Sequence, residues 1–470
     1  MPILSSRPGA LDPTLPSSTE FSHTRVGECS FGELFVPPRH LAETARTEVR
    51  RFWRRAIVFN FISNLTWLCR RTTDVQVLHV VTQKAYQEIE QTTGKDVVEL
   101  GDDLVKERAL EKRLTMHHVK MPPMATHHSK MLFLFPNREY PFVRICIVSG
   151  NFIEVDWRNK SQTVFVRDLP LLPDGKEQDR SDRNSFLPVL ERYLTCLRPR
   201  IDDNNGKLLL NHFKTDLARF DFSPIDHCPL PTRLVVSSNN DSETGVALWQ
   251  KQMQHALSRQ KQTHTGKRKL RWLLQCSSIG ANAPFLSSFK RLLTSALPKE
   301  DEVDFAVLLP TKQQMAACRL VDPDTYCTGI FIKRKPLNVL ASHGFKFVSS
   351  DNLCFVDELF FGDYVGAPRP VKHVRTPHCK TFTLLDVTDP ENPRVLLLLT
   401  GSHNFSPTAM GASNAPRSFE VSVLVACDTS RGFKPECGAF SARGTDQLCL
   451  PFSLPTCDIN IDDVFCSVAD

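Results

Sequence analysis

His128-Ser129-Lys130 leads through an apolar stretch to Val143-Arg144-Ile145-Cys146-Ile147-Val148-Ser149-Gly150-Asn151. His378-Cys379-Lys380, 250 residues later, leads to Arg394-Val395-Leu396-Leu397-Leu398-Leu399-Thr400-Gly401-Ser402-His403-Asn404. Each block is a His-x-Lys, an apolar strand-like run and a small-residue turn closing on Asn. Alternate residues of an extended chain face the same way, so His and Lys at i and i+2 project into one pocket. An imidazole can attack or carry a proton, while an ammonium and a carboxamide hold an anionic oxygen. One block is half of a phosphoryl-transfer site. Two on one chain can face each other across a phosphate, one histidine attacking and the other protonating the leaving group.

The tripeptide alone is a weak motif, and it occurs twice more, as His118-Val119-Lys120 and His212-Phe213-Lys214. His118 runs into Pro122-Pro123, which ends regular structure. His212 lies in Leu208-Leu209-Leu210-Asn211-His212-Phe213-Lys214-Thr215-Asp216-Leu217, whose apolar spacing is helical. Neither is followed by a strand and an Asn-bearing turn, so both read as structural.

A chain of 470 residues exceeds one ordinary core, and two domains are expected. Its net charge of +6 is modest but clustered, at Arg50, Arg51, Arg54 and Arg55, at Arg70 and Arg71, and at Lys267, Arg268, Lys269 and Arg271. Such clusters suit a polyanion or a solvated helix face. The 15 cysteines include no Cys-x-x-Cys pair and no Cys/His ligand spacing, which points away from disulfides and zinc and toward a reducing compartment. Cys379 should turn away from the pocket by alternation. The best apolar stretch, 56–69, is broken by Asn60, Ser63, Asn64 and Thr66 and falls short of the ~18 residues a membrane span needs. No targeting segment opens the chain, and a soluble intracellular protein is expected.

Residues 1–27, rich in Pro, Ser and Thr, are expected to be a disordered tail. Helical spacing covers 40–53, and strands are expected at 55–61 and 75–81 with a helix between them. A polar loop spans 167–185, followed by a helix over 186–197. The second half repeats the plan with strands at 232–238, 270–276 and 304–309 and helices at 249–257 and 284–297. This is the rhythm of an α/β sheet with crossovers. The polar run Asp202-Asp203-Asn204-Asn205-Gly206 places the break between halves 28–205 and 206–470.

Each half offers one more polar residue after its Asn, Gln162 in the first and Glu420 in the second. A catalytic imidazole needs its second nitrogen held, and a buried Glu or Gln does this while fixing the tautomer. Glu420 stands within Phe419-Glu420-Val421-Ser422-Val423-Leu424-Val425, where a buried carboxylate without a partner would be costly.

Together these stretches resemble the phospholipase D superfamily, and within it the tyrosyl-DNA phosphodiesterases. The superfamily motif is His-x-Lys, four residues, Asp, then Gly-Ser-x-Asn. Phe135 and Leu385 occupy the two Asp positions here, with Asp386 one place off, and loss of both aspartates marks the tyrosyl-DNA phosphodiesterase branch. Also similar are Thr126-His127-His128-Ser129-Lys130-Met131, Asp156-Trp157, Gln275-Cys276-Ser277-Ser278-Ile279-Gly280, Pro377-His378-Cys379-Lys380 and Ser418-Phe419-Glu420. The likeness runs from about residue 28 to 455. Two departures stand out. Met124 replaces the aromatic that the family often has four residues before its nucleophile. The chain also closes at Asp470 without a longer Pro- and Trp-bearing C-terminus, so the peptide side of the cleft is expected to differ.

The resemblance implies two α-β-α sandwich domains of phospholipase-D type, with the active site at their pseudo-two-fold interface. It further implies a phosphoric diester hydrolase of DNA repair that acts in the nucleus on 3′-phosphotyrosyl ends, such as a stalled topoisomerase I peptide leaves on DNA. His128 would attack phosphorus and form a phosphohistidine. His378 would protonate the tyrosine oxygen and then activate the water that leaves a 3′-phosphate. Lys130, Lys380, Asn151 and Asn404 would carry transition-state charge without a metal or other cofactor. Backbone amides and hydroxyls around Ser277, Ser278, Gly280 and Ser406 would meet the DNA backbone, with the basic clusters adding affinity. Weak sequence preference and a taste for single-stranded or frayed 3′ ends follow.

Two rival readings remain open on the sequence. One is a general phospholipase-D-superfamily nuclease acting on other blocked 3′ ends, or a lipid phosphodiesterase, against which the missing aspartates and the lack of a basic amphipathic membrane helix stand. The other is a DNA-binding scaffold with a dead site, against which the two intact His, Lys and Asn sets stand.

Overall fold

The computed structural model describes residues 24–27, 31–37, 52–86, 114–227 (except 138, 139, 159, 174, 175 and 177), 231–238, 248–261, 267–321, 323, 329–350, 353, 355–356, 373–411, 417–427, 436–437 and 447–467 (except 453 and 455). The helix expected over 40–53 lies mostly outside these residues, and Trp53 begins a strand, Trp53–Asn64.

Two mixed sheets carry the fold, and seven strands of one repeat seven of the other in the same order. In the first, Trp53–Asn64, Val75–Tyr86 and Leu114–His118 run parallel, and Met131–Pro136, Phe142–Val148 and Val164–Pro170 continue antiparallel from Trp53–Asn64. In the second, Lys269–Gln275, Glu302–Leu308 and Phe345–Ser349 are the parallel set. Thr381–Asp386, Arg394–Gly401 and Glu420–Ala426 are the antiparallel one. Parallel neighbours need crossovers, and the helices Leu65–Arg71, Ala283–Ser295 and Arg334–Ser342 supply them. Thr24–Gly27 and Thr232–Ser237 close the repeat as matching antiparallel strands beside Val164–Pro170 and Glu420–Ala426.

Period-two patterning sorts the side chains between cores. Ile57 and Phe59 point to a central core that also takes Leu273, Leu398 and Val423 from the second sheet, while Ala56 and Val58 point outward under Leu65–Arg71. Trp272 and Leu274 face the outer helices of the second sheet. Between the sheets lie Phe186–Leu197, with Phe186, Leu187, Val189, Leu190, Tyr193, Leu194 and Leu197 buried along one helical stripe, and Asn204–Leu217. The two halves therefore share their middle layer.

That sharing changes the expected division of the chain. A break at 205/206 falls inside Asn204–Leu217, which carries Phe213 against Phe59, Phe133 and Phe135 of the first sheet and pairs Asp216 with Arg55. Thr24–Gly27, assigned to the tail, is a strand. Gln447–Leu450, assigned to the second half, joins the first sheet parallel to it. We propose that the first half runs to the helix Ser223–His227 and recovers two strands, Glu436–Cys437 and Gln447–Leu450, from the C-terminal region.

Phe135 and Leu385, at the superfamily's Asp positions, are buried in the shared core. Asp386 pairs with Arg394 at 2.7 Å, at the far end of Thr381–Asp386 from Lys380. The strands Met131–Pro136 and Thr381–Asp386 begin immediately after Lys130 and Lys380, and their hairpin partners end immediately before Ser149 and Ser402. This topology collects both half-sites at one place.

Candidate active site

His128-Ser129-Lys130 and His378-Cys379-Lys380 lie just ahead of the ladders, where the extended chain has left sheet pairing. Alternation still holds. Ser129 turns inward to accept from Tyr193 Oη at 2.7 Å, and Cys379 turns toward Ser161 Oγ at 3.5 Å. Lys130 and Lys380 curl back onto the carbonyls of His128 and His378 at 2.7 and 2.9 Å.

Each histidine is held by the other half of the chain. His128 Nδ1 lies 2.9 Å from Glu420 Oε2 and 3.0 Å from the Ser402 carbonyl. His378 Nδ1 lies 3.1 Å from Gln162 Oε1. The holders are themselves held in matching fashion. Ser402 Oγ donates to Glu420 Oε2 at 2.6 Å and Ser149 Oγ to Gln162 Oε1 at 2.7 Å, while the amides of Val421 and Thr163 donate to those hydroxyls. Main-chain contacts fix the crossing. His128 N donates to the Phe419 carbonyl at 2.9 Å, and Thr376–Pro377 pairs with Lys160–Ser161. With both Nδ1 atoms held from the opposite half, the Nε2 atoms are left to react, that of His378 lying 3.3 Å from Lys380 Nζ.

The electrostatics follow from burial. Lys130, fully buried, is brought down to about 7 by desolvation and by the nearby charge of Lys380, and Lys380 falls to about 8 chiefly by desolvation. His378 is held well below its ordinary value by burial and then by Lys380, Lys160 and Lys130. Burial also lowers His128, but Glu420 pulls the other way. Burial pushes Glu420 up, yet His128, His403 and Lys130 outweigh it and leave the carboxyl below its usual range. Glu420 belongs to an interior strand between Arg394–Gly401 and Thr232–Ser237, where it is 2% exposed.

The two asparagines have different supports. Asn151 donates from its backbone N and from Nδ2 to Asp156 Oδ2, both at 2.8 Å, while Asn404 Oδ1 accepts from Ser277 Oγ at 3.3 Å. Ser277, Ser278, Gly280 and Ser406 do gather beside Asn404, with Gly280 packed on Ser406. The expected use of the Gly280 amide is corrected, because it already donates to the Phe405 carbonyl at 2.9 Å. Ser406 Oγ caps the short helix Pro407–Met410.

The basic clusters stand apart from the site. Lys269–Gln275 delivers its last residue to the site, so Lys267, Arg268 and Lys269 sit six to eight residues, about 20 Å or more, away. Arg268 is 4% exposed and paired with Asp301, and Arg271 pairs with Asp304 on the neighbouring strand. Arg54 and Arg55 open Trp53–Asn64 at the end remote from Lys130, while Arg50 and Arg51 lie outside the described residues.

Several neighbours escaped the sequence reading. Ser149 and Ser402 share a Ser-x-Asn spacing that a comparison of the two blocks could have exposed. Buried His403 joins Ser422 Oγ at 2.7 Å and Ser237 Oγ at 2.9 Å. Phe61 rests 5.8 Å, ring to ring, from His128, with the Lys84 ammonium over its ring. Met124 is 79% exposed with a left-handed φ of 63°. His118 is half-exposed beside Asp202, and His212 lies in Asn204–Leu217, so neither joins the site. Among the described residues no group of three or more His, Cys, Asp or Glu is arranged to hold a metal ion.

Two like sheets bring the paired His-x-Lys segments together across their junction, with each histidine held from the opposite half. The tyrosyl-DNA phosphodiesterase family model matches residues 49–458, and the chain belongs to that family. It is 26% identical over 330 residues to tyrosyl-DNA phosphodiesterase 1 of Arabidopsis thaliana. That match covers 66% of this chain and 48% of the plant protein, so the chain spans about half the length of this curated relative. The crystal structure of the yeast tyrosyl-DNA phosphodiesterase shares the fold, with a TM-score of 0.65 at 18% identity over 95% of this chain and all of the yeast chain. A histidine-to-alanine variant of the yeast protein matches with a TM-score of 0.64 at 17% identity, over 94% of this chain and 99% of that one.

Proposed function

We propose that this chain hydrolyses the 3′-phosphotyrosyl bond between DNA and a topoisomerase I-derived peptide, through a covalent phosphohistidine, to leave a 3′-phosphate. The observation that carries the reading is the unequal holding of two facing histidines. His128 has a carboxylate on Nδ1 and His378 has a neutral carboxamide. A carboxylate makes the far nitrogen more basic and stabilises the cation formed as it reacts, which suits the attacking residue. A carboxamide fixes the tautomer without adding negative charge, and the surrounding lysines make an imidazolium there a strong acid, which suits the proton donor.

In the first step His128 Nε2 attacks phosphorus and the tyrosyl oxygen departs with the proton of His378. In the second, His378 takes a proton from water, and the resulting attack breaks the phosphorus–nitrogen bond. Lys130 with Asn151, and Lys380 with Asn404, hold the non-bridging oxygens as charge builds. DNA binds through its backbone at Ser277, Ser278 and Ser406, with single-stranded or frayed 3′ ends favoured. The pairing of Arg268 and Arg271 leaves the basic clusters a minor part in this. No helix among the described residues is long and apolar enough to cross a membrane, and repair of chromosomal breaks points to the nucleus.

A 3′-phosphotyrosyl oligonucleotide incubated with the protein in EDTA tests the reading. Release of tyrosine with a 3′-phosphate product is expected, with a trapped adduct on His378→Ala and none on His128→Ala. Strict metal dependence, or no turnover, overturns it.

A further inference from the structure

Lys160 belongs to the first half but faces the second half's histidine. A Cβ placed on Gly329 would lie 3.3 Å from both His378 Nε2 and Lys160 Nζ, so the two tips border one gap. Gly329 has a φ of +79°, a conformation that favours glycine, and its missing side chain is what keeps the gap open. Lys160 is 2% exposed, and its ammonium donates to Asp156 Oδ1. An ammonium has three protons, and among the described residues Asp156 is the one acceptor within hydrogen-bond reach of this one. The other oxygen of Asp156 takes both donors of Asn151. A buried ion pair is thus locked in place with donors left over, beside the nitrogen that must serve the leaving group.

The cations around His378 create a demand for such a donor. Burial, Lys380 and Lys160 together hold this imidazole in its neutral form, while a phenol's ordinary value near 10 makes tyrosine a poor leaving group. Charge accumulating on the tyrosyl oxygen before the proton arrives needs a second partner.

Resting on the activity proposed above, we propose that Lys160 is a third catalytic lysine, one that hydrogen-bonds the tyrosyl oxygen as its bond to phosphorus breaks, in a gap kept open by Gly329. The lone pair of His128 Nε2 forms the nitrogen–phosphorus bond, and the electron pair of the broken bond stays on the tyrosyl oxygen. The negative charge of the bound phosphodiester raises the proton affinity of His378, whose Nε2 takes a proton from water before the step, and that proton leaves with tyrosine. Lys160 keeps its own three.

The test compares single-turnover cleavage of two oligonucleotides, one ending in 3′-phosphotyrosine and one in a 3′-(4-nitrophenyl) phosphate, whose phenol is far more acidic. Lys160→Met should slow tyrosine release by roughly 100-fold, the scale of losing one oxyanion donor, and nitrophenol release by less than about a tenth of that factor. Because this change strands Asp156, the double variant Asp156→Asn with Lys160→Met is measured alongside, with the same selectivity expected. Equal slowing of both substrates assigns the pair a purely architectural part and overturns the inference, as does undiminished tyrosine release. If the unaltered protein releases neither group, the activity itself is wrong, an outcome distinct from either.

Discussion

Lys130 and Lys380 carry their charge where the surroundings resist it. Desolvation first, and the neighbouring lysine next, bring Lys130 down to about 7, and desolvation brings Lys380 to about 8. A lysine is charged below its pKa, and only the charged form holds a phosphate oxygen. With substrate well below saturation, kcat/KM should therefore fall as pH rises from about 7 through 8. Saturating substrate should move this limb upward, because the bound anion stabilises the ammonium. A pH profile of kcat/KM that stays flat to pH 9 would contradict it. The residue types of the site were legible in the sequence because His and Lys recur two apart in both blocks, each followed by an Asn-bearing turn and then by one further polar residue, Gln162 or Glu420. The cross-holding was not, since which acceptor reaches which imidazole depends on how the halves pack. Lys160 was missed because one lysine four residues after an acid looks like an ordinary helical pair.

At the scale of the element, the turn after Arg394–Gly401 is the least forgiving. Gly401 has a φ of +151°, and a Cβ there would meet Ser422 Cα and the Val421 carbonyl at 2.5 Å, on the adjacent strand. Gly401→Ala should destabilise the protein by roughly 3 kcal/mol, from backbone strain and forced separation of the strands. Because Ser402, which fixes Glu420, follows directly, activity should fall further than stability alone explains. Urea unfolding and turnover of the same variant check both parts, and an unaltered midpoint would refute the first. Strands and helices were legible from apolar periodicity, as for Phe186–Leu197. Which layer an element joins was less so: the stripe on Asn204–Leu217 says that one face is buried, not that Phe59 and Phe133 bury it. Ion pairs within the basic clusters were hidden for a similar reason. Arg271 meets Asp304 across a parallel strand pair, a partner 33 residues away that local charge counting does not see.

Over the whole molecule, buried neutral histidines set the acid limit of stability. His127 and His403 are 0% and 1% exposed, and burial lowers them to about 3 and about 4. In the unfolded chain they titrate near 6.5, so above that pH they favour neither state. As pH falls below 6.5 the unfolded state takes up protons that the native state refuses. Each histidine then removes about 1.4 kcal/mol of stability per pH unit, until its own folded value is reached. Unfolding midpoints in urea should drop steadily between pH 6.5 and 4, and His403→Asn should flatten that slope. A midpoint constant across this window would count against the burial of these rings.

Two near-copies facing each other would be expected to treat a phosphodiester alike from either side. The difference between Glu420 and Gln162, an oxygen in one half and a nitrogen in the other, removes that equivalence. A strand of DNA has direction, and the site acquires one from this single exchange of atoms. The symmetry survives in the sheets, while the chemistry has a front and a back.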